Sequence, residues 1–315
     1  MSTPTKTKGL QKVMALWFDD ADVVFQAGQK LFRVHRSILS ARSAIFRDMF
    51  SMPPPAPENA SSESTVEGCT LIKLPDDAFD VYNFFLAIFD ASFFEPPPAV
   101  PALGDLAGIL RLSHKYDVQF LRRRAVSHLN KLFPLEMGSS FRRANDPSES
   151  MLFLLEVIEP AYIANVLWII PIAFLWVVHV KLDSTFKNEY WTKLPTFFQE
   201  LYLIFREKYY RDRDSIDPWI FSLPTEGCPN PGRCSKSARL YMADYRKFVE
   251  SSEKQQLTRK QLQSKFCADC ASYAFLQSTA TLKMRWNTFP IVLGLPNWAT
   301  LAKQKEKFEE STKGA

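Results

Sequence analysis

The sequence lacks the short motifs that accompany several common kinds of catalysis. It contains no glycine-rich phosphate-binding loop, no HExxH pair, no GxSxG turn and no set of kinase motifs. The polar N-terminal segment 1–12 leads into no apolar segment of the kind that a secretory signal needs. The sequence therefore predicts a protein that is not an enzyme and that is intracellular, in the cytoplasm, the nucleus or both. Its five cysteines are expected to be reduced there.

A strong charge of either sign is also missing. The net charge is +5 over 315 residues, which is too small to predict nucleic-acid binding by itself. On a helix, the side chains of the adjacent arginines 122–124 would point in directions that span about 200°, so they would form no continuous basic stripe. Hydrophobic residues make up 46% of the chain and 26 residues are Phe, so a large core can form. The length has room for two domains of ordinary size.

The segment 22–50 has the most informative pattern. It predicts two short apolar strands joined by a turn at Gly28, and then two short amphipathic helices. Ser40 and Ser43 lie where helix N-caps are expected, because a serine hydroxyl accepts a hydrogen bond from a free amide of the first turn. Apolar residues then recur at helical spacing over 45–50.

This segment resembles the BTB/POZ domain, and in particular the fungal, basidiomycete-type branch of that family. The resemblance is carried by Asp22-Val23-Val24, Phe32-Arg33-Val34-His35-Arg36, Ile38-Leu39, Ala41-Arg42-Ser43 and Phe46-Arg47-Asp48-Met49-Phe50. The segment 110–129 also resembles the helical pair that closes such a domain. The resemblance implies an α+β domain over residues 13–135, with a short mixed sheet flanked by helices.

The remaining sequence divides around that domain. We expect a flexible tail over 1–12 and proline-rich insertions at 51–68 and 91–104. Residues 136–315 have few strand signals and predict a mostly α-helical C-terminal region. The motif Gly294-Leu295-Pro296-Asn297-Trp298 resembles one that ends the helical extension of fungal relatives.

An apolar run over 163–180 allows two interpretations. It has no acidic or basic residue apart from His179, and its length is at the threshold of about 18 residues for a membrane span. Pro160 and Pro171 are expected to interrupt the helices of this region. Two buried helices are the favoured interpretation, and a membrane anchor is the alternative.

Three residues near the start of the domain are candidates for an interaction site. The resemblance implies that Asp22 and Arg36 line a charged pocket near a homodimer interface. The alternative is that both residues only hold the local fold. His35, beside Arg36, is predicted to be structural and not a base or a metal ligand.

Four cysteines are the candidate metal ligands. Cys228 and Cys234 are followed, after 32 residues, by the CxxC pair Cys267 and Cys270. Four thiolates can form a closed tetrahedral zinc site. Unlinked structural thiols and a redox-active CxxC are the alternatives that the spacing leaves open. No other cofactor is predicted.

The functional hypothesis is protein–protein interaction. The resemblance implies self-association of the BTB domain and recruitment of protein partners, including a cullin scaffold, for which the chain would be a substrate adaptor of a ubiquitin ligase. A chromatin- or transcription-associated factor with a zinc-stabilised C-terminal region is one alternative. A protein anchored in the membrane near 163–180 is another.

Overall fold

The computed structural model describes residues 9–52, 65–138, 149–214, 218–250 and 258–313. The chain divides into two compact units. The first unit comprises Met1–Leu132 and Glu159–Val166, and the second comprises Phe133–Ile158 and Leu167–Ala315.

A five-stranded mixed sheet organises the first unit. Its strands are β1 (Gln11–Trp17), β2 (Val23–Ala27), β3 (Lys30–Val34), β4 (Thr65–Val66) and β5 (Cys69–Leu74), in the order β1-β3-β2-β5-β4. β2 and β3 form an antiparallel hairpin, and Gly28 takes the positive φ that its turn needs. β2 also pairs with β5 in parallel. Four of the five residues of β2 are buried, which explains its continuous apolar run.

Helices cover the sheet of the first unit. They are α1 (Arg36–Arg42), α2 (Ala44–Ser51), α3 (Ala78–Phe89), α4 (Leu103–Lys115) and α5 (Gln119–Leu132). Ser43 caps α2, because its hydroxyl accepts from the amide of Phe46 at 3.0 Å. Asp77 caps α3 in the same way. Ser40 lies inside α1 and caps nothing, so that prediction is wrong.

The core of the first unit is largely aromatic. Phe25 packs against Phe85 with ring centroids 5.2 Å apart. Phe46 stacks on Tyr116 at 4.7 Å, and Phe84 lies against both. All five residues are buried. These rings join the sheet to α2, α3 and the end of α4, as the predicted α+β domain requires.

Two predicted boundaries of this unit need correction. β1 begins at Gln11, so the last two residues of the segment predicted as a tail lie in the sheet. Residues 1–8 lie outside the described residues. Within the predicted insertion 51–68, Thr65–Val66 form β4 and pair with β5, while 53–64 lie outside the described residues.

The described residues of the second unit form helices joined by turns and short connecting segments. It contains 3₁₀ helices at Glu149–Val157, Leu167–Ile169 and Pro218–Ser222, and the helices α7 (Ile170–Val177), α8 (Leu182–Lys187), α9 (Glu189–Lys193), α10 (Thr196–Asp214), α11 (Pro231–Glu250), α12 (Arg259–Lys265), α13 (Ala268–Val292) and α14 (Trp298–Lys313). The helix α6 (Ile158–Ile163) begins in this unit and continues into the first. The predicted α-helical C-terminal region is confirmed.

The apolar run over 163–180 is not one helix. α6 ends at Ile163, Asn165 adopts a left-handed φ of 58°, and α7 begins only at Ile170. Every residue of α7 is buried, as the buried-helix interpretation predicted. Among the described residues, no helix combines the length and the apolarity that crossing a membrane requires. Pro171 lies in the first turn of α7, but Pro160 lies within α6 and does not interrupt it.

Candidate functional site

The predicted charged pocket lies where β2 and α1 begin. One carboxylate oxygen of Asp22 accepts a hydrogen bond from the backbone N–H of Arg36 at 2.9 Å. The other lies 3.9 Å from Nε of the same arginine. His35, the N-cap residue of α1, makes no capping bond with its own side chain. Asp22 therefore stabilises the start of α1 from outside the helix.

The contact between the two charged side chains is loose and partly open to solvent. The side chain of Asp22 is 60% exposed. The guanidinium of Arg36 lies over the ring of Phe50, at 5.4 Å from its centroid. Within the described part of the chain, the buried Nε of Arg36 has no hydrogen-bond partner. This Nε is therefore a buried donor whose hydrogen-bonding capacity is unused in the described structure, 3.9 Å from the Asp22 carboxylate.

His35 points to a different carboxylate. Its Nε2 lies 3.5 Å from an oxygen of Asp20, and its ring lies 5.5 Å from the ring of Phe18. The structure therefore brings Asp22 and Arg36 together and places His35 beside them with separate partners. The sequence alone does not indicate the contact between Asp20 and His35.

Large apolar side chains are exposed on β1, α1 and α2. Met14 on β1 is 76% exposed, and Ile38 on α1 and Ile45 on α2 are also exposed. β1 is an edge strand, with β3 as its one neighbour among the described strands. Edge strands and exposed apolar residues are common features of surfaces that bind proteins.

The four candidate metal ligands meet in the second unit. Cys228 lies in a turn after Gly227, which has a φ of 76°, and Cys234 lies in the first turn of α11. Cys267 is the N-cap residue of α13, and Cys270 lies in its first turn. The pair Cys228 and Cys234 thus lies around the N-terminus of α11, and the pair Cys267 and Cys270 lies at the N-terminus of α13.

The sulfur atoms of this cluster are close together. All four Sγ atoms lie within 4.8 Å of one another. Sγ of Cys228 and Sγ of Cys267 are 3.6 Å apart, and all four cysteines are free thiols. Cys234 and Cys270 are fully buried, while the other two are half-buried. The sequence predicted these four residues, and the fold brings them into one site.

Backbone and hydroxyl groups contact two of the sulfurs. The N–H of Cys267 donates to Sγ of Cys234 at 3.3 Å. The N–H of Thr225 donates to Sγ of Cys270 at 3.5 Å, and the Thr225 hydroxyl lies 3.4 Å from the same sulfur. Thr225 could not be identified from the sequence, since a threonine before a turn has no pattern that marks it as a neighbour of a metal ligand.

The thiols of this cluster differ in acidity. Desolvation raises the pKa of Cys228 to about 12. For Cys267, desolvation also acts to raise the pKa, but the N–H of Cys270 and the neighbouring thiols lower it to about 7. The neighbouring thiols thus act in opposite directions on the pKa of Cys228 and of Cys267, because the close sulfurs share hydrogen bonds.

A buried apolar cluster supports the four cysteines. Cys234 and Cys270 belong to it, and Trp219, Leu262 and Phe266 are also members. Residues of the 3₁₀ helix at 218–222 and of α11, α12 and α13 thus pack around the sulfurs. The sulfur geometry is consequently fixed by a packed core and not by the loop residues alone.

Comparison with known families identifies the first unit. Residues 11–132 match the sequence model of the BTB/POZ domain. This part of the chain is therefore a BTB/POZ domain, a module of protein–protein interaction. No curated protein and no solved structure matches the chain. The resemblance to the fungal branch stays a prediction.

Proposed function

We propose that the protein self-associates through its BTB/POZ domain and recruits other proteins to the assembly. The match of residues 11–132 to an interaction module carries this proposal. The homodimer interface comprises the outer edge of β1 and the exposed faces of α1 and α2, with the Asp22–Arg36 pair nearby.

Two properties of the first unit, together with the symmetry of a dimer, support this interface. Met14, Ile38 and Ile45 expose apolar area that a second copy would cover. The edge of β1 offers backbone groups to another strand. A two-fold interface presents the same patch on both copies, so every added contact occurs twice.

Sedimentation of the full-length protein over a range of concentrations tests self-association. We expect the wild type to form a dimer and Met14→Glu to shift it towards monomer, because the glutamate would be buried unpaired. Val100→Glu is the matched control, since Val100 is 92% exposed on the loop before α4. A wild type that stays monomeric at every concentration would refute the proposal, as would equal effects of the two variants.

We also propose that one of the recruited partners is a cullin scaffold. Phe79, in the first turn of α3, is 51% exposed and gives the domain a large apolar contact residue on a helix other than α1 and α2. Cullin recovered with tagged wild type and lost with Phe79→Glu, while Val100→Glu retains it, would support a ligase adaptor. Absence of cullin from an intact wild-type dimer would remove the ligase role.

The second unit provides a surface for a further protein partner. Leu276, Met284 and Ile291 are exposed on α13 at spacings of eight and seven residues, which places them on one face. Lys208 and Lys283 border the groove beside Met284 and Ile291. We expect this groove to bind a segment that combines apolar and acidic residues.

Affinity purification with mass spectrometry tests this surface. Partners lost with Met284→Glu but retained with Phe79→Glu would be assigned to the second unit. Equal recovery of all partners with wild type and Met284→Glu would exclude this surface.

The rival function, that of a chromatin-associated factor, predicts DNA binding whose affinity falls steeply as the salt concentration increases.

A further inference from the structure

The four-cysteine cluster of the second unit has the composition and the spacing of a metal centre. We propose that Cys228, Cys234, Cys267 and Cys270 bind one zinc ion, which holds α11 and α13 together. This proposal concerns the second unit alone and is independent of self-association by the BTB/POZ domain.

The distances support a shared ion. Zinc–sulfur bonds of about 2.3 Å in a tetrahedron place the sulfurs about 3.8 Å apart. The observed sulfurs all lie within 4.8 Å of one another, and one pair is 3.6 Å apart. Shifts of about 1 Å or less, within the reach of a χ1 adjustment, would complete the tetrahedron.

The four thiolate ligands restrict which metal can bind and what role it can have. Four thiolates are soft ligands, and a tetrahedral sulfur site favours zinc or iron over magnesium, calcium or manganese. Four protein ligands also leave no open position for a substrate or an activated water. The site is therefore structural and not catalytic.

The hydrogen bonds to sulfur favour thiolates at this site. Backbone N–H groups of Thr225 and Cys267 point at the sulfurs of Cys270 and Cys234. A neutral thiol is a weak acceptor, whereas a thiolate bound to a metal accepts such bonds well. Donors of this kind orient the ligands and stabilise their charge.

Disulfide chemistry explains the arrangement less well. A disulfide joins sulfurs in pairs at about 2.05 Å and needs no convergence of four. The contact of 3.6 Å joins Cys267 to Cys228, which belongs to the other segment and not to its own CxxC pair. A shared zinc ion explains why both pairs of sulfurs converge.

Metal analysis of the full-length protein, purified with a thiol reductant and without chelator, tests the proposal. We expect one zinc per chain in the wild type, and loss of zinc from Cys228→Ser and Cys267→Ser, whose side chains are half-buried. Cys69→Ser is the matched control, because Cys69 lies in β5 of the BTB/POZ domain and a serine can replace its bond to the carbonyl of Ala21.

A second measurement applies if the serine variants fail to fold. In the wild type, zinc should protect these four cysteines from alkylation, and chelation should expose them, as mass spectrometry of the labelled peptides would show. Cobalt loading should produce the intense visible absorption of a tetrahedral cobalt thiolate. Metal-free protein, stoichiometric iron, two disulfides, or alkylation that zinc does not change would each overturn the proposal.

Discussion

Asp22 has two separable roles at the scale of a single residue. Its carboxylate caps α1 by accepting from the N–H of Arg36, and its charge faces the guanidinium of that residue at 3.9 Å. The substitution Asp22→Asn keeps an oxygen that can accept the capping hydrogen bond but removes the negative charge. A comparison of Asp22→Ala with Asp22→Asn therefore separates the effect on local stability from the effect on the dimer.

We expect Asp22→Ala to lower the free energy of unfolding by about 1 kcal/mol, which is the usual cost of losing a helix cap. Asp22→Asn should lose less stability and yet weaken self-association, because it lacks the charge. Urea unfolding and sedimentation measure the two effects. Asp19→Ala controls for a change at an exposed aspartate in the same segment. An equal loss of stability in that control would contradict the capping role.

His128 predicts a pH dependence of stability. It is buried in α5, and its Nε2 lies 2.9 Å from the carbonyl oxygen of Glu95. Burial lowers the pKa of His128 in the folded state; the Glu95 carbonyl opposes that shift, and Arg124 and Lys131 add to it. The unfolded chain therefore binds more protons between the lowered pKa and the usual value of about 6.5.

Stability from this histidine is thus present in full above about pH 6.5 and is lost as the pH falls through that window. We expect His128→Gln to flatten the slope of unfolding free energy against pH between about pH 5 and about pH 7. Some slope should remain, because burial also lowers the pKa of His114. Urea titrations at several pH values measure it, and an unchanged slope would contradict the prediction.

At the scale of elements, α3 and α4 approach each other closely at Gly108. A Cβ added there would lie 2.9 Å from Cγ of Asp80 and still closer to one of its carboxylate oxygens. Asp80 also pairs with Arg111 of α4, which lies 3.4 Å from Glu159. A methyl group would therefore displace Asp80 and disturb this ion-pair network.

We expect Gly108→Ala to destabilise the first unit by about 1–3 kcal/mol, even though alanine favours helix formation more than glycine does. Helix propensity alone would make Gly108→Ala more stable than the wild type. A loss of stability would therefore identify the close packing at this position as its cause. Gly138→Ala is the control, since nothing lies within 4 Å of a Cβ at that position. A stabilised Gly108→Ala protein in thermal unfolding would contradict the close approach.

The elements that the sequence predicted correctly are those with a strong local pattern. β2 and β3 contain short apolar segments joined by a glycine turn, and Ser43 has the chemistry of an N-cap. β1 was missed because an edge strand buries little, and its residues alternate poorly. The four cysteines were identified by type and spacing, but only tertiary packing brings segments 33 positions apart into one site.

At the scale of the whole molecule, each unit contains a buried core of its own, and the four cysteines of the proposed zinc site all lie in the second. We therefore expect two unfolding transitions in calorimetry. Binding energy at a structural metal site contributes directly to folding, because the unfolded chain holds no preformed site. Removal of zinc should lower the midpoint of one transition and leave the other in place.

The variants described above assign the two transitions. Gly108→Ala should move only the transition of the first unit, and Cys267→Ser should move only the one that chelator moves. In the double variant the two shifts should add, because Gly108 and Cys267 belong to different units. A chelator that shifts both transitions equally would show that the units unfold together. A chelator that shifts the same transition as Gly108→Ala would place the metal dependence in the BTB/POZ domain and contradict the assignment to the second unit.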